Sequence, residues 1–221
     1  MNILIVGASR GIGLEFVRQY TNEGARVIAT ARGDEGLGRI AALGAKALRV
    51  DVAKPESVSG LAWQLDGEQI NVIVINAGVF GPRSEGLQPP STEDFNAVMH
   101  TNVLGPMRVI PQLTDVLAAH SKLAIISSRM GSISLRESSS GWLYRASKAA
   151  VNSVLKDASV ALAGQATCIA FHPGWVRTDM GGRGADLAVE SSVLGMRRVL
   201  AGLQVADNGK FLNYDGKPLS W

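Results

Sequence analysis

Tyr144 and Lys148 stand four residues apart in the run Tyr144-Arg145-Ala146-Ser147-Lys148, a spacing that puts a phenol and an ammonium on one face of a helix. A free phenol titrates near ~10 and gives up its proton poorly at neutral pH, but a fixed cation beside it stabilises the phenolate and pulls the pKa down. A phenol tuned in this way can protonate an oxygen that is gaining charge. The same two residues can also be mere neighbours on a solvated helix surface, and the rest of the chain decides between these readings.

A second candidate lies at the start. Gly7-Ala8-Ser9-Arg10-Gly11-Ile12-Gly13 follows an apolar run and opens a helical pattern through Leu14, Phe16, Val17 and Tyr20. Backbone amides and a helix N-terminus at such a turn suit a pyrophosphate. The spacing is Gly-x-x-x-Gly-x-Gly, and glycine turns also serve tight packing alone. Its position at the first strand–helix junction of an alternating chain favours phosphate binding. Selectivity between dinucleotides is read at the end of the second strand, where an acid would hold the ribose 2′-hydroxyl of NAD and an arginine the 2′-phosphate of NADP. There the chain reads Ala29-Thr30-Ala31-Arg32. Arg32 and Arg10 could clamp the extra phosphate with two guanidinium forks, so the expected cofactor is NADPH. Asp34 is the alternative if the strand runs longer, and both arginines can equally be solvated.

The elements that must position these groups follow from hydrophobic periodicity. Short apolar runs at 2–6, 25–30, 46–50, 70–75, 122–127 and 166–171 are each followed by helical spacing or a turn that opens it. Val72-Ile73-Val74-Ile75 is apolar at every position, as a strand covered on both faces should be. The predicted class is α/β: a doubly wound parallel sheet with helices on both faces. Gly24, Gly44, Gly67 and Gly164 each precede a strand, where a glycine can end a helix. A chain of 221 residues, 46% hydrophobic and 19% charged, suits one well-buried domain over 1–221.

Composition also excludes. The net charge of +3 comes from scattered residues rather than a basic stripe, which argues against nucleic acid as a partner. Cys168 sits alone in the apolar run Ala166 to Phe171 and reads as a small core residue. No apolar run approaches the ~18 residues of a membrane span, and Met1 leads directly into Ile3-Leu4-Ile5-Val6, so no membrane and a cytoplasmic address are expected. His100, His120 and His172 are too scattered and unaccompanied for a metal site. Ser128 has no histidine base near it in sequence, which leaves hydrolase chemistry little support.

The glycine turn, Asp51-Val52, Asn76-Ala77-Gly78, Asn102, Ser128 with Tyr144 and Lys148, and Pro173-Gly174, in this order and at the expected strand ends, resemble the short-chain dehydrogenase/reductase superfamily along the whole chain. More narrowly, the run Tyr144 to Asn152 and the ending from Gly209-Lys210-Phe211 through Asp215-Gly216-Lys217 to Trp221 look like the C-factor and Sniffer-like carbonyl reductase group.

The resemblance implies a Rossmann-type sheet of about seven strands and reduction of a carbonyl substrate to an alcohol with the pro-S hydride of NADPH. It assigns Tyr144 as general acid, Ser128 as the group that holds and polarises the substrate oxygen, and Lys148 to the nicotinamide ribose and the tyrosine pKa. Asn102 would support a water leading protons from Lys148 to solvent. Gly7, Ser9, Arg10, Gly11, Ile12 and Gly13 would hold the phosphates, and Asp51 and Val52 the adenine. Asn76, Ala77 and Gly78 would floor the cleft, while Pro173, Gly174, Val176 and Thr178 would meet the nicotinamide end. Each has a bland alternative: an Asp that caps a turn, an Asn-Ala-Gly loop, an ordinary Pro-Gly turn. Ser128 is preferred over Ser127 because it stands before two residues and a glycine, Ser128-Arg129-Met130-Gly131.

Val6 and Ile75 replace the threonine and second asparagine that many members carry, so some hydrogen bonds between loops must be made differently or be absent. Sixteen positions separate Ser128 from Tyr144, implying a longer loop, Ser132 to Gly141, over the pocket. Phe80, Trp142, Trp175 and Met180 lie near pocket-forming segments and would favour an apolar substrate, or be plain core. Members of the superfamily are commonly homodimers or homotetramers. A rival expectation, a dinucleotide-binding signalling or regulatory protein of C-factor type, stays open because a fold does not fix a function.

Overall fold

The computed structural model describes residues 1–84, 86–182 and 184–221. Seven strands, β1 (Asn2–Val6), β2 (Arg26–Ala31), β3 (Lys46–Arg49), β4 (Ile70–Ile75), β5 (Leu117–Ile126), β6 (Ala166–His172) and β7 (Lys210–Asn213), form one sheet in the order β3-β2-β1-β4-β5-β6-β7. Every adjacent pair is parallel. The helices are α1 (Gly11–Asn22), α2 (Asp34–Ala42), α3 (Pro55–Ser59), α4 (Leu61–Gln64), α5 (Thr92–Met99), α6 (Gly105–Val109), α7 (Trp142–Ala161) and α8 (Val189–Gly202).

Alternate strand residues feed two cores, as a sheet covered on both faces requires. Leu4 and Val6 join Val151, Leu155 and Ala158 of α7 in one core. Ile3 and Ile5 join Phe16, Val17 and Tyr20 of α1 and Val193, Met196 and Leu200 of α8 in the other. The doubly wound α/β class read from the sequence is the observed one. Strand order reverses between β1 and β4, and at such a switch point the connections diverge and leave a crevice at the carboxyl ends of the strands.

The sequence boundaries shift most at β5, which begins at Leu117 rather than near 122. Its register with β4 is irregular between Ile70 and Val72, and His120 adopts a left-handed φ of 57°. Ser121 fills the irregularity by donating to the carbonyls of Ile70 and Ala118 at 2.7 and 2.6 Å.

Candidate active site

Because all seven strands run the same way, every predicted site residue that follows a strand sits along one edge of the sheet. Gly7 to Gly13 follow β1, Arg32 follows β2, Asp51 and Val52 follow β3, Asn76 to Gly78 follow β4, Ser128 follows β5, and Pro173 to Thr178 follow β6. Ile12, Ser128, Tyr144, Pro173, Gly174, Val176 and Thr178 line a cavity of about 580 Å³ at this edge. Lys148 and Asn102 are buried, at 5% and 1% exposure, and are not among its lining residues.

The glycine turn is shaped by close approach. A side chain at Gly7 (φ +87°) would stand 2.6 Å from the Ala77 Cα, and one at Gly13 would stand 2.2 Å from the Gly7 carbonyl oxygen. Asn76 Nδ2 donates to that carbonyl at 2.6 Å, and the amides of Asn76 and Ala77 both donate to the Val6 carbonyl at 2.9 Å. These bonds tie the turn after β1 to the loop after β4 despite the valine and isoleucine at positions 6 and 75. Arg10 at the N-terminus of α1 makes no side-chain cap, and the first turn carries no acid. The leading amides of this twelve-residue helix are therefore left to an anion, and the residues present fit a dinucleotide phosphate.

At the far end of the edge, β2 stops at Ala31 and Asp34 opens α2, so the alternative in which a longer strand presents Asp34 to a ribose does not apply. Asp34 is paired instead with Arg49, whose Nη1 also donates to the Arg32 carbonyl at 3.0 Å. Arg39 pairs with Glu35 and donates to the Ser9 carbonyl at 3.1 Å. Sequence reasoning passed over Arg39 and Arg49, whose relation to Arg32 and Ser9 exists only in the fold. Arg10 forms an exposed ion pair with Asp179 at 3.0 Å, linking the glycine turn to the segment after β6. Thr178 lies on the same seam, its methyl 3.3 Å from where a Gly11 side chain would begin. Asp51 caps its own turn, its carboxylate accepting from the Ala53 amide at 3.1 Å, which is the bland reading of that residue.

Ser128 leads into a short 3-10 turn, Arg129–Gly131, and its Oγ accepts from the Met130 amide at 3.1 Å. Accepting there leaves the hydroxyl proton free to be donated elsewhere. Gly131 explains the Ser-x-x-Gly pattern: a side chain on it would stand 2.7 Å from the Lys148 carbonyl carbon, so the serine loop packs directly on α7 where the lysine leaves it. Ser127 also borders the cavity but donates its hydroxyl to Asn152 Oδ1 at 2.5 Å.

Lys148 Nζ donates to the Ile126 carbonyl at 2.8 Å and lies 5.6 Å from the centroid of the Tyr144 ring. Both groups are buried, and burial disfavours their charged forms. It pushes the Tyr144 phenol up to about 12, with an interaction from Ser128 pulling the other way, and the Lys148 ammonium down to about 8. Spacing alone predicts that the lysine lowers the phenol; the phenol is instead raised by its burial, which spacing does not reveal.

Asn102 sits in a π-helical turn, His100–Leu104, a distortion frequent at functional sites. Its side chain is committed: Oδ1 accepts from the Val79 amide at 2.8 Å, while Nδ2 donates to the Val79 carbonyl at 2.8 Å and to Ser147 Oγ at 2.9 Å. A side chain at Gly78 would fall 3.3 Å from Asn102 Oδ1 and 3.5 Å from Lys148 Nζ. Glycine there lets the strand-end loop lie against both.

Phe80 stacks on Tyr144 with ring centroids 4.6 Å apart. Phe80, Trp175 and Met180 line the cavity as anticipated, whereas Trp142 does not. The loop Ser132 to Gly141 contributes Leu135, Glu137 and Ser138 to the lining, and Ser132 anchors it by donating to the Ser220 carbonyl at 2.8 Å. His172 also lines the cavity; burial, then the charge of Arg129, push its imidazole down to about 4, so it is neutral near pH 7. Among the described residues no group of three or more His, Cys, Asp or Glu is arranged to hold a metal, and no helix is long and apolar enough to cross a membrane.

Residues 1–186 match the family described as short chain dehydrogenase. The chain is 36% identical over 155 residues to C-signal of Myxococcus xanthus, covering 69% of this chain and 93% of that one. A short-chain dehydrogenase/reductase from Burkholderia multivorans solved with bound NADP superposes with a TM-score of 0.91 at 34% identity, covering 100% of this chain and 99% of the other. Carbonyl reductase Sniffer of D. melanogaster superposes with a TM-score of 0.91 at 29% identity and the same coverage.

Proposed function

The chain belongs to the short-chain dehydrogenase family, and on that premise we propose that it is an NADPH-dependent carbonyl reductase, converting an aldehyde or ketone to an alcohol. The observation that carries this reading is the meeting of Ser128 and Tyr144 on one cavity, with Lys148 behind them and an uncapped phosphate turn on the same sheet edge. The NADP bound to the Burkholderia relative supports the choice of cofactor.

The cofactor, when bound, supplies a hydride to the carbonyl carbon. The glycine turn from Gly7 to Gly13, with Ser9, would hold the pyrophosphate on its amides, and Arg10 and Arg32 would take the 2′-phosphate. Asp51 and Val52 would flank the adenine, Asn76, Ala77 and Gly78 would floor the cleft, and Pro173, Gly174, Val176 and Thr178 would border the nicotinamide. Lys148 would hold the ribose.

The carbonyl oxygen gains negative charge as its carbon is reduced. The Ser128 hydroxyl, whose oxygen already accepts from Met130, donates to that oxygen and stabilises the charge. Tyr144 then protonates it. An alkoxide is a stronger base than a phenolate, so the transfer runs downhill even from a phenol held at about 12. The Lys148 ammonium stabilises the phenolate left behind, and Asn102 would support a water that returns the proton from solvent.

We read residues 1–221 as one such domain, cytoplasmic, and assembled as a homodimer or homotetramer. A second reading, a dinucleotide-binding regulatory protein, draws on the likeness to C-signal. Following the absorbance of NADPH against a panel of aldehydes and ketones separates the two. Consumption with formation of the alcohol supports the reductase, and silence across the panel despite measurable NADPH binding supports the regulator.

A further inference from the structure

Resting on the reductase reading, we propose that the physiological carbonyl compound carries a carboxylate remote from the reacting carbonyl, held by Arg145 and Arg83 on the outer wall of the cavity. That wall is built by two segments locked together. The Gly141 amide donates to the Ser84 carbonyl at 3.2 Å, and a side chain at Gly141 would stand 3.2 Å from the Phe80 ring. Tyr144 stacks on the Phe80 ring and lines the same cavity. A substrate whose carbonyl meets Tyr144 therefore extends along this wall.

Arg145 is the principal observation. It lines the cavity at 9% exposure, and its Nε donates to the Ser140 carbonyl at 2.9 Å. Among the described residues no carboxylate pairs with it, and the charge of Arg136 that acts on it is of the same sign. Burying a guanidinium beside another cation is costly unless an anion joins it. Arg83 lies over the Phe80 ring, 5.5 Å from its centroid, on the same wall.

Among the described residues the lining carries three arginines, Arg83, Arg129 and Arg145, against one acid, Glu137. The apolar lining from Phe80, Leu135, Trp175 and Met180 suits the body between carbonyl and carboxylate. The cofactor phosphates do not account for Arg83 and Arg145. Those belong at the turn after β1, whereas these arginines belong to the segment after β4 and to α7.

The test compares 4-formylbenzoate with its methyl ester, which differ in charge at one end and share the aldehyde. The expected kcat/KM ratio favours the acid by about tenfold or more, the scale of one charge-assisted contact. The ratio falls towards one in Arg145→Gln and in Arg83→Gln, the latter at an exposed position whose change spares the core. Calorimetry on the NADP-loaded protein with 4-(hydroxymethyl)benzoate and its methyl ester gives the same order of preference without turnover. NADPH affinity, measured in parallel, stays within about twofold of the parent, since single contacts to charge are worth more than that. Equal or better reduction of the ester by the parent protein, or variants that slow both aldehydes equally, overturns the carboxylate assignment and leaves the reductase reading standing. Reduction of neither aldehyde while NADPH still binds removes the reductase reading and this inference with it.

Discussion

The Lys148 ammonium lies 5.6 Å from the centre of the Tyr144 ring while donating at 2.8 Å to the carbonyl of Ile126. The lysine is thus anchored to the end of β5 beside the phenol ring. Its burial sets up an opposition: the site needs the ammonium charged, and the surroundings hold its pKa down to about 8.

The pH profile should record that opposition. Lys148 is charged below about 8 and loses its proton above it, so kcat/KM for carbonyl reduction is expected to fall as pH rises through about 8, reporting the free enzyme. Steady-state rates across that range check it. A flat profile up to pH ~10 would show that the lysine charge is not required.

Stability should move the opposite way. A lysine whose folded pKa is depressed from 10.5 to about 8 is bound to protons more in the unfolded chain between those values, so its contribution to stability rises with pH across that window. Lys148→Met removes this term. Urea midpoints at about pH 7 and pH 9 should therefore converge for the two proteins, the variant gaining most at the lower pH.

Under the proposed reading, selectivity for the phosphorylated dinucleotide is assigned to Arg32, whose carbonyl is held by Arg49 while Asp34 is paired with the same side chain. Arg32→Ala should weaken NADPH binding by about tenfold or more and change NADH binding little, because only the former presents a 2′-phosphate to a guanidinium. Fluorescence titration with both dinucleotides measures it, and equal losses for the two would remove Arg32 from the phosphate site.

Gly131 holds the serine loop on α7. A methyl group there would meet the Lys148 backbone at 2.7 Å, so Gly131→Ala should force loop and helix apart, lowering kcat by about tenfold or more and stability by about 1–3 kcal/mol. Turnover rates and denaturation midpoints report the two effects, and a variant with parental values for both would contradict the packing argument.

Much of this arrangement was legible beforehand because it depends on local pattern. Continuous apolar runs marked β1 to β6, and glycines at positions 7 and 13 marked a place where backbones meet. What stayed hidden depends on contacts between distant segments. Nothing in the spacing of Gly131 and Lys148 shows that they touch, and nothing near Arg32 shows that Arg49 reaches it. The raised pKa of Tyr144 is hidden for the same reason. Neighbouring charge is visible in a sequence, but burial is not. Arg145 was passed over as a residue between two more conspicuous ones, and only the cavity shows that it faces the same space as Tyr144.

The most direct measurement is a single turnover by protein loaded with NADPH, comparing the parent with Tyr144→Phe on an aldehyde that the parent reduces. Loss of the phenolic proton should slow the step by about a hundredfold or more while NADPH still binds with near-parental affinity. Reduction by the phenylalanine variant at the parental rate would contradict the assignment of proton transfer to Tyr144.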